Sequence, residues 1–554
     1  MTKIKNLIIT ETCKRIEAFA DKNHTRELFQ EIKKLTGDFR LKRSAIKDAT
    51  NCQKLYTDPD EHSDNKNTYG KQEPGILSEE IEQAVSKLKN NKAPGSDEIT
   101  AEMLKLSGDK GVKILWKLCN EVWTTGVWPE DWAESIFIPL HKKGSTEDCS
   151  NYRTISLISH ASKVLLNVIH TRLRYYVDSQ IPPEQAGFLK GRETREQILN
   201  IRQLIEKSRE FDQPLVMCFI DYNKTFDCVQ WRKLWIVMQE MGVPEHIIHL
   251  IKNLYTKSKA VIRAQNAVSD QFQPTKGIRQ GCILSPILFN IYSEAVLRES
   301  LQEWNGGAVI GGRKINNLRF TDDTTLCTKS ELEMSQLIKR VEEASNKYGL
   351  TINKSKTKVM VIDRAGVLSH TNVLNTYQKV NEFTYLVSIV QTDDGSSREI
   401  KRRVTLRRES VSRLTPIWTD NHISRNSKLR LLKALTFSVM LYGSETWTLK
   451  RMLRIFWMER RTNCSILAML NIKIKLAVVC KQRILRFFGH IIRRDESSLE
   501  KLVTVGKIEG KRSRGRTPMR WIDQIKAITG YLLGEAIRSA ESREIWKGIV
   551  ANVK

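Results

Sequence analysis

The spacing of hydrophobic and polar residues divides the chain into helical and strand-like segments. Residues 25–37 carry leucine or isoleucine at positions 28, 32 and 35, and Gly37 follows them, which predicts an amphipathic helix. Short apolar runs at 135–140 and 215–220 are rich in strand formers and predict β-strands. Helical patterns separate these strands and continue through residues 391–554. The chain is therefore expected to be an α+β protein with a helical C-terminal region.

Two acidic stretches accompany the strand-like segments. FIDYNKTFD at 219–227 places Asp221 directly after the second predicted strand. RFTDDTTL at 319–326 places Asp322 and Asp323 between two short apolar flanks, as at the turn of a hairpin. Adjacent carboxylates among apolar residues repel each other and lose hydration, and a divalent cation removes that cost. Three such carboxylates suit a pair of Mg²⁺ ions that supports phosphoryl transfer, although an isolated Asp-Asp is more often a plain polar hairpin tip.

A third segment, between the two acidic stretches, favours the functional interpretation. KGIRQGCILSPILFN at 276–290 begins with a loop that carries Arg279 and Gln280 between two glycines. Ser285 and Pro286 follow, and a small polar residue before proline is a helix start signal. The segment therefore predicts a polar loop that leads into an apolar helix.

Composition indicates a large folded protein with a polyanionic partner. The chain has 554 residues, 40% of them hydrophobic and 28% charged, which is typical of folded globular chains of about three or four domains. Its formal net charge of +28 points to nucleic acid first and to an anionic membrane second. No stretch approaches the length of a bilayer-spanning helix, and the N-terminus lacks a secretory core. We therefore expect a nuclear or cytoplasmic protein that binds no membrane.

The ten cysteines give no sign of a disulfide framework or a zinc site. None forms a C-x-x-C pair and several lie in apolar runs, which predicts buried free thiols in a reducing compartment. Cys464, Cys480 and His490 are candidate metal ligands, but their spacing fits no compact zinc motif.

The two acidic stretches and the loop between them, in this order, resemble the palm of a reverse transcriptase from non-LTR (LINE-type) retrotransposons. The resemblance extends from about residue 70 to the C-terminus. It includes further motifs in register: NKAPGSD at 91–97, WPEDW at 128–132, IPLHKKG at 138–144, NYRTISL at 151–157, QAGF at 185–188, GLTIN at 349–353, Lys356-Thr357, FTYL at 383–386, YGSETW at 442–447 and FGH at 488–490.

This resemblance implies a right-hand polymerase with fingers, an antiparallel palm sheet and a thumb, followed by a basic helical region. The implied divisions are a linker region at 1–69, fingers and the N-terminal part at 70–210, palm at 211–390, thumb at 391–450 and a nucleic-acid-binding region at 451–554. In this family the linker joins an upstream endonuclease to the polymerase. The chain has no room for that domain, so nicking activity is not predicted, and a separate endonuclease is a candidate partner.

The resemblance also implies the roles of site residues. Asp221, Asp322 and Asp323 would be catalytic and would hold two Mg²⁺ ions, with Mn²⁺ as the alternative ion. Phe226 stands at the position of a ribose gate that excludes a 2′-hydroxyl, and is equally interpretable as a core residue. The residues expected to bind the nucleotide are Lys142, Arg153, Phe226, Gln280 and Lys356.

Basic residues outside the palm are candidates for nucleic-acid contact. A loop with Gly187, Lys190 and Arg192 is suited to close backbone approach, and the helix after it is expected to turn residues 198, 201 and 204 inward. The densest C-terminal cluster of cations is Lys511, Arg512, Arg514 and Arg516. Aromatic residues interleaved with these charges are open to two interpretations, base stacking and core packing, and core packing is favoured for most of them: Trp447, Trp457, Phe487, Phe488 and Trp521.

Departures from the family pattern leave the activity open. Thr321, Thr225 and Thr154 replace residues that are usually Ala, Ala and Pro. Val387 replaces a hairpin glycine, which would cost about 1–2 kcal/mol if the position requires a positive φ. The family also has an additional helical stretch after the equivalent of Lys450.

The leading hypothesis is an RNA-directed DNA polymerase that uses template RNA, a DNA primer and dNTPs. The alternative is a catalytically inactive, nucleic-acid-binding remnant of such an element. An RNA-templated RNA polymerase is a third hypothesis, which Phe226 disfavours.

Overall fold

The computed structural model describes residues 72–553 apart from residues 143, 146, 265–266, 369–371, 394, 421, 449–475, 507 and 509–518. The linker predicted at 1–69 and the four C-terminal cluster cations lie outside the described residues. Helices and strands are mixed through residue 391, and the described residues after it form helices without strands, so the predicted α+β class is confirmed.

The described residues form the following helices: α1 Ser78–Lys87, α2 Ala101–Leu106, α3 Gly108–Thr125, α4 Glu130–Ala133, α5 His160–Val177, α6 Thr194–Glu210, α7 Trp231–Glu240, α8 Glu245–Thr256, α9 Ser285–Leu301, α10 Glu331–Lys347, α11 Ser397–Arg413, α12 Thr415–Thr419, α13 Arg425–Leu431, α14 Ser438–Met440, α15 Leu476–Ile492, α16 Leu499–Val505, α17 Asp523–Thr529, α18 Leu533–Glu541 and α19 Arg543–Ala551.

The strands of the same part of the chain are β1 Glu134–His141, β2 Tyr152–Leu157, β3 Leu215–Ile220, β4 Lys259–Ala264, β5 Ala267–Val268, β6 Ala308–Ile310, β7 Arg313–Ile315, β8 Asn317–Phe320, β9 Asp323–Thr328, β10 Lys358–Ile362, β11 Gln378–Lys379, β12 Glu382–Tyr385 and β13 Ser388–Gln391. A π-helix at Leu432–Phe437 joins α13 to α14.

The central sheet has five strands in the order β11-β10-β3-β9-β8. Strand β3 lies in its middle and is antiparallel to both β9 and β10. Every residue of β3 is buried, because helices cover both faces of the sheet. Alternate β3 residues pack with the apolar side of α6 on one face and with α10 on the other. The inward orientation predicted for Ile198, Ile201 and Leu204 of α6 is confirmed, since all three are buried.

A second sheet combines two strands that precede β3 in sequence with two that follow it. Its order is β2-β1-β4-β5, with β1 antiparallel to β2 and parallel to β4. Helices α1, α3, α5, α7, α8 and α9 share one large core that includes Trp123 and Trp128. The Trp128 indole N–H donates to the Leu250 carbonyl at 2.9 Å, which ties the chain before β1 to α8.

The C-terminal helices α15 to α19 form a separate aromatic core against α6. Trp447, Phe487, Phe488 and Trp521 are at most 2% exposed, so their interpretation as core residues is confirmed. Trp457 lies outside the described residues. Helix α16 joins the central core, where Leu499 and Val503 pack beside residues of α6 and β6. This region is therefore packed onto the central sheet through α6.

No helix within the described ranges is long and apolar enough to cross a membrane. The free thiols among these residues are Cys119, Cys218, Cys228, Cys282, Cys327 and Cys480, and all but Cys228 are buried. Cys149 is disulfide-bonded, so the expectation of free thiols throughout the chain is wrong at that position.

Strands β12 and β13 form a hairpin whose two turn residues adopt left-handed backbone. Leu386 has φ 44° and Val387 has φ 64°. The turn is held from outside, because the Tyr442 hydroxyl donates to the Leu386 carbonyl at 2.8 Å and the Arg402 and Arg403 guanidinium groups donate to the Val387 carbonyl. The position that the sequence marks as an unusual valine therefore does require a positive φ, and a β-branched residue there is strained.

We expect Val387→Gly to raise the free energy of unfolding by about 1 kcal/mol, because glycine adopts this backbone without strain. Val387 is 60% exposed, so little packing is lost with the side chain. The midpoint of urea denaturation measures the effect. Val387→Ala is the matched control, since it keeps the Cβ that clashes. Equal stabilisation by alanine and glycine would contradict the assignment of strain to the Cβ.

Candidate active site

Asp221 follows the last residue of β3 and lies next to the β8–β9 hairpin. Ile220 pairs with Thr324, so the antiparallel register brings Asp221 beside Asp323 on a strand about 5 Å away. The Asp221 backbone is fixed on both sides, since its N–H donates to the Thr357 hydroxyl at 3.3 Å and its carbonyl accepts from the Asn353 N–H at 2.7 Å. The two acidic stretches therefore meet at one end of the central sheet.

Asp322 occupies the hairpin turn itself. Phe320 pairs with Asp323, which leaves Thr321 and Asp322 as the two turn residues, and Thr321 has φ 63°. The side-chain oxygen of Gln185 accepts hydrogen bonds from the N–H of Thr321 at 3.0 Å and from the N–H of Gly187 at 2.9 Å. The turn is thus held against the segment that carries the QAGF motif.

Gly187 and Arg192 both have structural contacts around this turn. A Cβ on Gly187 would lie 2.3 Å from the Thr321 nitrogen, so only glycine fits. The Arg192 guanidinium donates to the carbonyls of Pro183 and Gln185, which fixes the loop, whereas Lys190 is exposed. A nucleic-acid contact for Gly187, Lys190 and Arg192 stays a prediction.

A buried ion pair lies beneath the same hairpin. Arg319 of β8 is 2% exposed, and its guanidinium lies 2.8 Å from the carboxylate of Glu294 in α9. The Arg319 carbonyl accepts from the N–H of Ala186 and from the Gln197 side chain of α6. Glu294 also pairs with Arg298 at 2.8 Å, but loss of Glu294 would leave the Arg319 charge buried without an acidic partner among the described residues, which is strongly destabilising.

The three carboxylates repel each other. The pKa of the Asp323 carboxyl is raised to about 6, because the surrounding protein lowers its hydration and because Asp322 and Asp221 are negatively charged. The Asp323 side chain is nevertheless exposed to solvent. Lys142 is near enough to oppose that rise. The sequence prediction that Asp221, Asp322 and Asp323 lie together agrees with this arrangement.

The carboxylates suit a hard cation. Oδ2 of Asp221 is buried and accepts no hydrogen bond, and its ion-pair contact is the Lys356 ammonium at 3.5 Å. Oδ2 of Asp322 accepts from the buried Thr225 hydroxyl at 3.1 Å. Among residues that the structure describes, no three His, Cys, Asp or Glu side chains already form a set of metal ligands. Chemically the donors fit Mg²⁺, but Asp221 and Asp322 are turned toward Lys356 and Thr225.

The predicted nucleotide-binding residues divide into two groups. Lys142 and Lys356 lie beside the carboxylates and are exposed. Arg153, on β2, donates from Nε to Oε1 of Gln280 at 2.9 Å. Phe226 is half-buried, and its ring stacks on that of Phe289 at 4.7 Å between centroids and 17° between planes. A core contact and a gate role are compatible for Phe226, and its gate role stays a prediction.

Asp227 is a buried polar residue for which no role is predicted from the motifs. It is 6% exposed, and its Oδ1 accepts from the Gln280 side chain at 3.2 Å. Burial raises the pKa of Asp227 to about 6, against the effects of Lys224, Gln280 and Arg153. Asp227, Gln280 and Arg153 therefore form one continuous polar chain. Its members are too far apart in sequence for a motif to reveal it.

Comparison with known proteins locates a family in this part of the chain. Residues 140–390 match the family model described as reverse transcriptase (RNA-dependent DNA polymerase). Similar curated proteins include the RNA-directed DNA polymerase from mobile element jockey of Drosophila melanogaster, which is 22% identical over 67% of this chain and 41% of that protein. The Pol polyprotein from the type-1 retrotransposable element R2 of Nasonia vitripennis is 26% identical over 50% of this chain and 26% of that protein. The chain spans less than half the length of these relatives.

Among solved structures, apo telomerase from Candida tropicalis is similar to 79% of this chain over 74% of its own length, with 14% identity and a TM-score of 0.39.

We expect Gly187→Ala to lower the free energy of unfolding by about 2 kcal/mol or more, because the new Cβ would overlap the Thr321 backbone. Urea denaturation measures the loss. Gly548→Ala in α19 is the control, since no atom lies within 4 Å of its Cβ position and alanine favours a helix. An unchanged midpoint for Gly187→Ala would mean that the turn is not held against this segment.

Replacement of Asp227 by asparagine should remove one component of the pH dependence of stability. The pKa of Asp227 in the folded state, about 6, exceeds the unfolded value of about 3.9, so its ionisation destabilises the fold as pH rises from about 4 to about 6. The Asp227→Asn variant has no carboxyl group to ionise at this position. Between pH 4 and 7 the free energy of unfolding of the wild type should therefore fall by about 2 kcal/mol more than that of the variant. Urea midpoints across that range measure the difference. For the control Asp109→Asn, at an exposed position, the urea midpoint should change with pH as it does in the wild type. The same pH dependence in Asp227→Asn would contradict the effect of burial on the Asp227 pKa.

Proposed function

We propose that this chain, whose residues 140–390 form a reverse transcriptase domain, is an RNA-directed DNA polymerase of a non-LTR retrotransposon. The observation that carries the proposal is the meeting of Asp221 with the Asp322-Asp323 turn at one end of the central sheet, where β3 and β8 are both antiparallel to β9, within that domain. The name of the jockey relative describes the same activity. Template RNA, a DNA primer and dNTPs are the substrates that this activity requires.

Asp221, Asp322 and Asp323 would hold two Mg²⁺ ions, or Mn²⁺ in their place. Such ions, when bound, favour attack by a primer 3′-hydroxyl and departure of pyrophosphate. The unsatisfied buried oxygen of Asp221 and the raised pKa of Asp323 support this choice, because a cation would relieve both.

Three cationic side chains lie where they would contact a bound triphosphate. Lys142 and Lys356 lie near the carboxylates, where they could balance phosphate charge without moving a proton. Arg153 is held by Gln280, whose own amide is held by Asp227, so its guanidinium has a defined position on β2. Phe226 would exclude a 2′-hydroxyl from the same site and so favour dNTPs.

The β12–β13 hairpin would support the primer end, and residues 391–450 would form the thumb. Residues 1–69 and 451–554 would extend the polymerase as a linker and a nucleic-acid-binding region. A nicked DNA strand would supply the primer.

An inactive nucleic-acid-binding remnant is the second candidate. The positive φ of Val387 favours it, because the strained turn lies in the hairpin proposed to hold the primer. The intact set of three aspartates opposes it.

We expect Asp322→Ala to reduce primer extension on an RNA template at least about a thousandfold, because it removes a ligand of the proposed metal pair. The assay supplies Mg²⁺, dNTPs and an annealed DNA primer, and measures incorporated nucleotide. Asp109→Ala, at an exposed position of α3, should keep wild-type activity.

Extension that survives Asp322→Ala would contradict the catalytic assignment. If the wild type and Val387→Gly both fail to extend a primer that they bind, the inactive remnant is the correct function. Activity in Val387→Gly alone would locate the defect in the hairpin.

A further inference from the structure

The C-terminal helices form a strongly basic cleft that the proposed polymerase site does not use. Helices α15 and α19, together with the start of α6, surround an open cleft of about 590 Å³. Six cations line it, Arg195, Arg483, Arg486, Arg493, Arg543 and Lys547, against a single carboxylate, that of Glu445. A cleft with one sign of charge concentrates ions of the opposite sign.

Helical spacing explains why the cations face one way. Arg486 lies on α15, and Arg493 directly follows the last residue of that helix, seven positions further on. Arg543 and Lys547 lie four residues apart on α19, so the members of each pair face the same cleft. Phe487, Trp546 and Val550 also line the cleft but are at most 3% exposed, so they form its floor. Each helix therefore presents a stripe of cations beside a buried apolar floor.

The FGH motif brings the two stripes together. A Cβ on Gly489 would lie 2.3 Å from Cδ1 of Trp546, so glycine allows α19 to approach α15 this closely. Arg493 and Arg543 are consequently close, and burial together with the charge of Arg543 lowers the pKa of Arg493. A close pair of like charges is unfavourable unless an anion lies between them.

Protein acids compensate only part of this charge. Arg483 pairs with Glu445 at 2.8 Å, and Arg195 lies near Glu193 and Glu196. Among the residues described, no acidic partner is found for Arg486, Arg543 or Lys547, and all three are exposed. By sequence, residues 449–475 and 509–518 carry eleven Lys or Arg and two Glu, so they offer little further compensation.

We propose that this cleft binds the phosphate backbone of a nucleic-acid strand, at a site distinct from the catalytic carboxylates. Phosphate oxygens match the donors of Arg and the charge of Lys. The aromatic residues under the cleft, Phe487 and Trp546, are 2% exposed, so bases cannot stack on them and the contact is to backbone rather than to sequence.

The place of the cleft in the fold favours a strand of the polymerase substrate. Arg195 of α6 lines the cleft, and Gln197, two residues on, holds the Arg319 carbonyl of the catalytic hairpin. One helix therefore connects both sites. To this extent the inference rests on the proposed function, but the contact itself requires no catalysis.

Binding of a fluorescein-labelled 20-nucleotide RNA, and of DNA of the same sequence, tests the proposal by anisotropy in EDTA without nucleotides. The test variant combines Arg486→Gln, Arg543→Gln and Lys547→Gln. The control combines Lys110→Gln, Lys113→Gln and Lys117→Gln, which removes three exposed cations from α3. Glutamine preserves helix propensity, and a thermal melt verifies that both variants fold.

The cleft variant should lose about two units from the slope of log affinity against log salt, since each single-strand phosphate contact contributes about 0.7. At 0.1 M salt this corresponds to an affinity loss on the order of a hundredfold for RNA and DNA alike. The control should lose less than about threefold.

An equal loss of nucleic-acid affinity in the cleft and control variants would overturn the proposal. If the cleft variant loses affinity for RNA but not for DNA, the phosphate backbone is not the ligand and the proposal also fails. If poly-glutamate binding is lost while RNA binding is retained, the partner is an acidic protein and the proposal fails. Because the assay excludes metal ions and dNTPs, its failure leaves the polymerase proposal intact, and an inactive polymerase leaves the cleft result intact.

Discussion

Repulsion among three carboxylates is the constraint on which the rest of the site depends. Asp221 directly follows β3, Asp323 begins the adjacent strand β9 and Asp322 lies in the turn, and the charges of Asp221 and Asp322 make ionisation of Asp323 less favourable. Nothing in the carboxylates holds them together, so the backbone beneath must. The Gln185 side chain accepts from the Thr321 N–H of the turn and from the Gly187 N–H of the segment packed against it, and the buried Arg319–Glu294 pair fixes the strand below. Buried polar groups, which are unfavourable elsewhere in a core, therefore lie directly beneath the three carboxylates and hold them in place.

Helix α6 transmits this support to the C-terminal region. Its Gln197 holds the strand that leads to the turn, while Glu206 and Glu210 bind the Trp521 N–H and the Arg520 guanidinium. The helix is buried on most sides, so its polar residues pair with protein groups rather than with water. The C-terminal helices consequently belong to the same packed structure as the sheet, and their loss would leave charged residues of α6 without partners.

Local patterns of the sequence predict the parts of the fold that depend on local physics. Strand β3, the hairpin at Asp322-Asp323 and the inward face of α6 follow from apolar runs, turn residues and helical spacing. The burial of Trp521 follows from its size. The role of Gly187 could not be predicted, because it depends on a turn more than a hundred residues away. The disulfide of Cys149 gave no signal in the spacing of cysteines.

The Asp227–Gln280–Arg153 chain shows why a costly carboxylate is retained at this position. A carboxylate only accepts hydrogen bonds and a guanidinium only donates them, so the amide between them has one favourable orientation. An apolar residue in place of Asp227 would avoid the cost of burial that its raised pKa reflects. It would also let the amide turn its NH₂ toward Arg153, where two donors repel. The ionised Asp227 carboxylate therefore lowers the stability of the fold, but it fixes the position of the Arg153 cation on β2 relative to the central sheet.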